Sequence, residues 1–491
     1  MKLLLSLILM CLSLYSHGQG SRPNIILIMA DDVSPDLFGA YGLKGAAKTP
    51  NIDMLANEGV MFKTAYASAM CGPSRVEIMT GRYANTTGAY HNSIWLDGAR
   101  KDVYTDNIAF SKVLKESGYA TAITGKWHAG VQMPHESVLA FDEYSLWEGL
   151  KEIKALPGSP KFTGLFENKK TTSRYWHPAY IQNGKLLDTK PSDYGPRIEA
   201  DFIMDFMERQ VKAKKPFLAY WPTVAPHGTR KGYPTTPLRG KQGEMDKAPN
   251  ATESRARFVA LNEYLDMLVG DVVTKVKDLG IADNTVIIFV SDNGTAVTAK
   301  TRGVERGPQV AHIVWGAGIK KRGATDELTD FSDIAPTLID WANAEDKLPK
   351  DYKFDGTSLV PFLTGKTDAH RDWIYGYISG SQIVRTKNYL LEVVNPMLGM
   401  PKGRMYFTGD NRFGEGYQLV TGDISGDKKH AKARKQFDDI LAQYPPLTAD
   451  HPYFSKKRGK KFLQDYTSKK SKAKHLHNHR DYQTYDETYI E

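Results

Sequence analysis

The chain has 491 residues, 41% of them apolar and 25% charged, with a formal net charge of +9. That length suits two domains, and the composition excludes a disordered or fibrous protein. Only two cysteines are present, which excludes a disulfide-stapled scaffold.

Residues 1–18 place a lone Lys2 before an apolar run through Leu14 and end on the small residues Ser16 and Gly18. This is the pattern of an export leader. Lipoprotein attachment through Cys11 is disfavoured, because bulky Ile8, Leu9 and Met10 stand where small residues are needed. No other stretch reaches the ~18 continuous apolar residues of a membrane span. The mature protein is expected to be exported, periplasmic or secreted, with Cys71 as its one cysteine.

Short apolar runs then alternate with helical patterns, the rhythm of a mostly parallel α/β sheet. The run 24–32, NIILIMADD, suits a strand buried on both faces and stops at Asp31 and Asp32. In 71–81, CGPSRVEIMTG, Pro73 has the preset φ of a first helical turn, so Cys71 is placed at or just before a helix N-terminus. The run 119–130 ends in Lys126 and His128. From 131 to 200, Trp147, Tyr175, Trp176 and His177 occur without period, as in a long substrate-binding loop or in exposed filler. The run 215–228 leads to His227. Apolar residues from Phe258 to Val276 recur at helical spacing, with Gly280 as a stop. The run 284–294 then ends in Asp292 and Asn293.

Ligands bind beyond the carboxyl ends of strands in open α/β sheets, so these four ends are expected to face one pocket. Asp31, Asp32, Asp292 and Asn293 offer only oxygen, a set for a hard cation such as Ca²⁺ or Mg²⁺ and a poor one for zinc. Lys126, His128, His227 and Lys300 would add positive charge and proton transfer, describing a site for a tetrahedral anion. A thiolate at Cys71, favoured by the helix N-terminus, could serve as nucleophile, although no histidine lies near it in sequence.

The string Cys-x-Pro-Ser-Arg followed by Thr-Gly resembles the signature of the type I, formylglycine-dependent sulfatases. RPNIILIMADD, GKWHAG, APHG, SDNG, KTRGVERG, FSDIAPTLIDWA and FDGTSLVPFL follow in that family's order. The resemblance implies an alkaline phosphatase-like, mostly parallel sheet sandwiched by helices, with a smaller C-terminal α+β subdomain carrying an antiparallel sheet. It implies that a formylglycine-generating or anaerobic sulfatase-maturating enzyme oxidises Cys71 to formylglycine, whose hydrate attacks sulfur and forms a covalent sulfo-enzyme. Carried over by position, Asp31, Asp32, Asp292 and Asn293 would hold Ca²⁺, with Mg²⁺ less favoured. Arg75 would stabilise the hydrate, Lys126 the sulfate oxygens, and His128 would be the base. His227 and Lys300 would contact sulfate and leaving group, either being a candidate proton donor. Lys300 matches the spacing to Glu305 and Gly307, but PQVAHIVW follows where the family has an Arg-Val-Pro stretch, and His312 and Arg306 stand in unusual places.

Sulfate ester hydrolysis on a sulfated carbohydrate or polysaccharide is the expected function. Phosphate or phosphonate monoester hydrolysis and non-catalytic binding of sulfated glycan are the alternatives. Neither a nucleic-acid motif nor a membrane span is read. Residues 20–370 are expected to form the catalytic domain and 371–491 the subdomain, with strands at 373–380, 382–394 and 404–409, a helix near 428–443 and a solvated basic tail. His475, His477 and His479 in that tail are read as solvated rather than metal-binding.

Overall fold

The computed structural model describes residues 22–95, 99–147, 166–168, 171–229, 232–238, 251–296 and 299–476. The expected leader, His477, His479 and part of the 131–200 insertion lie outside the described residues.

Ten strands form the principal sheet. They are β1 (Asn24–Ala30), β2 (Val60–Tyr66), β3 (Ala120–Gly125), β4 (Glu143–Trp147), β5 (Tyr180–Gln182), β6 (Lys185–Leu186), β7 (Phe217–Pro222), β8 (Thr285–Ser291), β9 (His312–Gly316) and β10 (Gly323–Asp330). Their spatial order is β6-β5-β4-β3-β7-β1-β8-β9-β2-β10. The middle four, β3-β7-β1-β8, are mutually parallel, so their carboxyl ends lie side by side. Only β5 and β9 run against the rest, each pairing antiparallel with both neighbours.

Helices cover both faces, as the unbroken apolar strands require. Ile25, Leu27 and Met29 of β1 pack in one core with α2 (Cys71–Thr80), α3 (Phe110–Glu116) and α6 (Ile334–Trp341). Ile26 and Ile28 face the other core, with α1 (Pro50–Glu58), α4 (Gly195–Lys212) and α5 (Ala251–Asp278). The expected stop is realised after α5: Gly280 sits at φ 66° while its amide donates to Lys277.

A separate antiparallel sheet follows, with β11 (Trp373–Ile378), β12 (Ser381–Thr386), β13 (Tyr389–Val394), β14 (Arg404–Phe407) and β15 (Gln418–Leu419) in chain order. The stretch 382–394, read as one strand, is therefore two. Polar Lys387 and Asn388 break it, and the Tyr389 amide donates to Thr386 Oγ1 at 3.2 Å to close the turn. The basic tail is also more ordered than expected as far as residue 476. After α7 (Lys428–Leu441), α8 (Lys457–Tyr466) and a helix at Lys469–Leu476 pack on the small sheet, because Phe462, Leu463 and Tyr466 form an apolar stripe among the lysines. Among the described residues, no helix is long and apolar enough to cross a membrane.

Candidate active site

The ends of the four central strands are stitched together by backbone bonds beyond the sheet. Asp292 donates to Ala30 at 2.9 Å, Asp31 to Ala225 at 2.9 Å, and Lys126 to Pro222 at 2.7 Å. Asp32 and His128 then turn off their strands at left-handed φ of 61° and 49°. Such backbone is held only where its surroundings determine it. Here the Asp32 amide donates to Asp292 Oδ1 at 2.9 Å, and Asn293 Nδ2 donates to Asp32 Oδ1 at 2.8 Å.

Cys71 is the first residue of α2, a helix whose ten residues are all buried. One turn on, Arg75 donates to the Lys126 carbonyl at 2.8 Å and pairs with Asp292 Oδ2 at 2.9 Å, 3.8 Å from Asp31 Oδ1. Lys300 completes the ring, with Nζ 3.1 Å from Cys71 Sγ and 2.5 Å from Asp32 Oδ1. Thr301, at φ 68°, donates its amide to Ala69 and so folds the segment bearing Lys300 onto the Cys71 loop. The unusual PQVAHIVW that follows builds the sheet: Val310 donates to Ala65, and β9 begins at His312. Burial alone pushes the Cys71 thiol up, but the Lys126 and Lys300 cations outweigh it and hold the thiol below its usual range.

Asp31, Asp32, Asp292 and Cys71 each bring a ligand atom within 4.8 Å of the others. Burial opposes ionisation of Asp31, yet Lys126 (2.6 Å), His227, Arg75 and Lys300 hold its carboxyl well below the usual range. Asp32 is likewise low, with His227 and Lys300 outweighing burial. Asp292 goes the other way: burial and the Asp31 charge push it well up, more than Arg75 brings it down. Three carboxylates thus face three cations, Arg75, Lys126 and Lys300, and Asp292 is the least compensated of the acids. Asp31 Oδ1 and Asn293 Oδ1 are moreover buried with no hydrogen-bond donor among the described residues, an arrangement that is rare for buried oxygens. These all-oxygen donors fit a hard divalent cation.

His227 Nε2 stands 3.2 Å from Asp32 Oδ2, while Nδ1 lies 2.6 Å from the Gly228 carbonyl oxygen and 3.1 Å from Arg174 Nη1. Burial brings its pKa down to about 4, against the pull of Asp32 and Asp31, so the ring is neutral near pH 7. His128, two residues after Lys126, remains solvent-accessible. Surrounding protein together with Lys126, Arg75 and Lys300 nonetheless keeps its imidazole neutral. All ten residues singled out in the sequence therefore meet at one place, at the carboxyl edge of the sheet.

Two side chains at this site carried no sequence signal. Asn92 contacts Cys71, and Arg174 backs His227 while its guanidinium stacks 4.3 Å from the Trp147 ring. Within the described part of the aromatic-rich insertion, two rings pack inward. Tyr175 is buried and donates to the Val224 and His227 carbonyls, and Trp176 packs on Tyr194 at 4.9 Å. These rings support the His227 loop. His312 lies in the core against Phe62, and Arg306 is buried 3.7 Å from Asp36; neither reaches the pocket's acids.

The Sulfatase family model matches residues 23–344. N-acetylgalactosamine-6-sulfatase of Canis lupus familiaris is 27% identical over 390 residues, covering 74% of this chain and 70% of that protein. A sulfatase of Formosa agariphila is 30% identical over 420 residues, covering 72% and 74%. A crystal structure of Ps i-CgsB in complex with k-i-k-neocarrahexaose superposes at a TM-score of 0.66 with 24% identity, covering 92% of this chain and 99% of the other. With a family match over more than half its length, this chain belongs to the sulfatase family, the sulfuric ester hydrolases.

Proposed function

We propose that the protein hydrolyses sulfate esters on a carbohydrate, with residue 71 matured to formylglycine and Ca²⁺ held by Asp31, Asp32, Asp292 and Asn293. The observation carrying this reading is the pair of donorless oxygens, Asp31 Oδ1 and Asn293 Oδ1, in an acid cluster ringed by Arg75, Lys126 and Lys300 around position 71. The relatives that are named for a sulfated sugar or solved with a carrageenan-type oligosaccharide support the substrate class.

When present, the matured side chain supplies a hydrated carbonyl as nucleophile, and the cation neutralises charge at the sulfate. This chain's own groups do the rest. Arg75 and Lys126 hold the acids and the anion in place, and Lys300 stands between Asp32 and residue 71. His128, neutral and solvent-accessible, is the base. His227 and Lys300 are the candidate proton donors for the leaving group: Lys300, kept charged against burial by Asp32 and its neighbours, has a proton to give, whereas neutral His227, with Nδ1 on the Gly228 carbonyl, must first take one up.

We infer further that residues 1–18 direct export, to the periplasm or beyond, and that maturation by a formylglycine-forming enzyme precedes activity. Residues 20–370 would be the catalytic domain and 371–491 the subdomain beside it. Sulfate release across a panel of defined sulfated oligosaccharides, each paired with the matching phosphate ester, tests the reading. Turnover of at least one sulfated sugar is expected, and a higher kcat/KM on the phosphate partner in every pair would overturn it.

A further inference from the structure

Asn92 stands on the turn of a small hairpin, Ala89–His91 paired with Ile94–Trp95, outside every motif above. Its carboxamide can be oriented only one way. Oδ1 accepts the Gly72 amide at 3.0 Å, one of the free N–H groups of the α2 N-terminus, which turns Nδ2 toward Cys71 Sγ at 3.8 Å. The Asn92 amide in turn meets Met70 Sδ at 3.3 Å. Asn92 thus grips the residues on both sides of position 71 as well as its side chain. A second observation concerns Gly72 itself. A Cβ there would lie 2.5 Å from Asn92 Oδ1, so the glycine is required by the close approach of Asn92.

The C-terminal subdomain braces this hairpin. Tyr453 Oη donates to the Ser93 carbonyl at 3.2 Å, and the His91 ring meets Phe462 of α8 at 5.4 Å. The Ser379 amide donates to the Tyr90 carbonyl at 3.1 Å. Helices from the basic tail therefore support a contact to the reacting residue.

We propose that Asn92 is a positioning residue, holding the group at position 71 against Lys300 and the acid cluster through its paired bonds to Gly72 and residue 71. The inference rests on residue 71 as the seat of the nucleophile. Its test has two arms. In the first, Asn92→Ala is assayed on a small aryl sulfate and on a sulfated sugar. Misplacing the nucleophile should lower kcat about ten- to hundredfold on both, with KM within about twofold. An unchanged kcat on the aryl sulfate, or a loss confined to the KM of the sugar, overturns the proposal.

The second arm reads thermal stability in protein made without maturation, so that residue 71 is cysteine. Gly72→Ala should lower Tm by about 2 °C beside Asn92, where the methyl collides, and leave it level or raised in an Asn92→Gly background, where alanine is simply the better helix former. Equal shifts in the two backgrounds overturn the proposal. Cys71→Ala serves as the control: full activity in that variant rejects the nucleophile assignment, while the stability arm still decides the clamp.

Discussion

Two clusters of buried acids in this molecule look alike in composition and differ in how they are satisfied. In the first, Asp31, Asp32, Asp292 and Asn293 crowd the sheet edge, and two of their oxygens lack any donor among the described residues. The second joins the large sheet to the small one through Asp330, Asp333, Arg371, His370 and Tyr83. There both oxygens of each carboxylate are engaged: Asp330 by Arg371, Ser332, Tyr83 and the Tyr375 amide, and Asp333 by Arg371, His370, Thr329 and the amides of Asp330 and Thr357. Unsatisfied acids await a ligand, whereas saturated ones act as a strut. Charge density alone would not separate the two.

The contrast is sharpest when one charged group is removed from each cluster. Asp292→Asn should reduce sulfate ester turnover about a thousandfold, through loss of a cation ligand and of the Arg75 anchor. Urea unfolding of the metal-free variant should shift by less than about 1 kcal/mol, because the carboxyl removed is one that burial and Asp31 already disfavour. A collapse in stability equal to that of a strut variant would erase the distinction. Arg371→Met is the reverse case. Leaving Asp330 and Asp333 without their cation should lower stability by about 3–5 kcal/mol in the same urea titration, while kcat of the folded fraction is kept.

Removing the cation probes the functional cluster without mutation. EGTA treatment should abolish turnover, and Ca²⁺ at about a hundredfold over its Kd should restore it together with about 3 kcal/mol of stability. A melting temperature indifferent to Ca²⁺ would mean the donorless oxygens hold nothing. The smallest effect concerns His312, which burial holds at about pKa 3 in the core beside Phe62. A folded pKa below the unfolded value near 6.5 makes the unfolded chain bind more protons, so stability falls as pH drops below about 6.5. His312→Phe should remove about 2 kcal/mol of that loss at pH 5, read as a flatter profile of urea midpoint against pH.

Much of the site was legible because the chemistry stands at strand ends. An apolar run buried on both faces has to stop somewhere, and Asp31–Asp32, Lys126 and Asp292–Asn293 mark those stops in plain sequence. Lys300 was harder to place, since it reaches Cys71 through the turn at Thr301, and a left-handed threonine has no sequence signature. Asn92 and Arg174 were invisible for a related reason: each is one polar residue in an irregular segment, aimed by tertiary contacts rather than by periodicity. The Lys387–Asn388 turn and the helices of the tail were missed where charged residues masked short apolar stripes such as Phe462, Leu463 and Tyr466.

The most direct measurement is sulfate released from a defined sulfated oligosaccharide by matured protein, set beside folded Cys71→Ala in the presence of Ca²⁺. Release by the first and background by the second is the predicted result. Equal release from both would contradict an active centre built around residue 71.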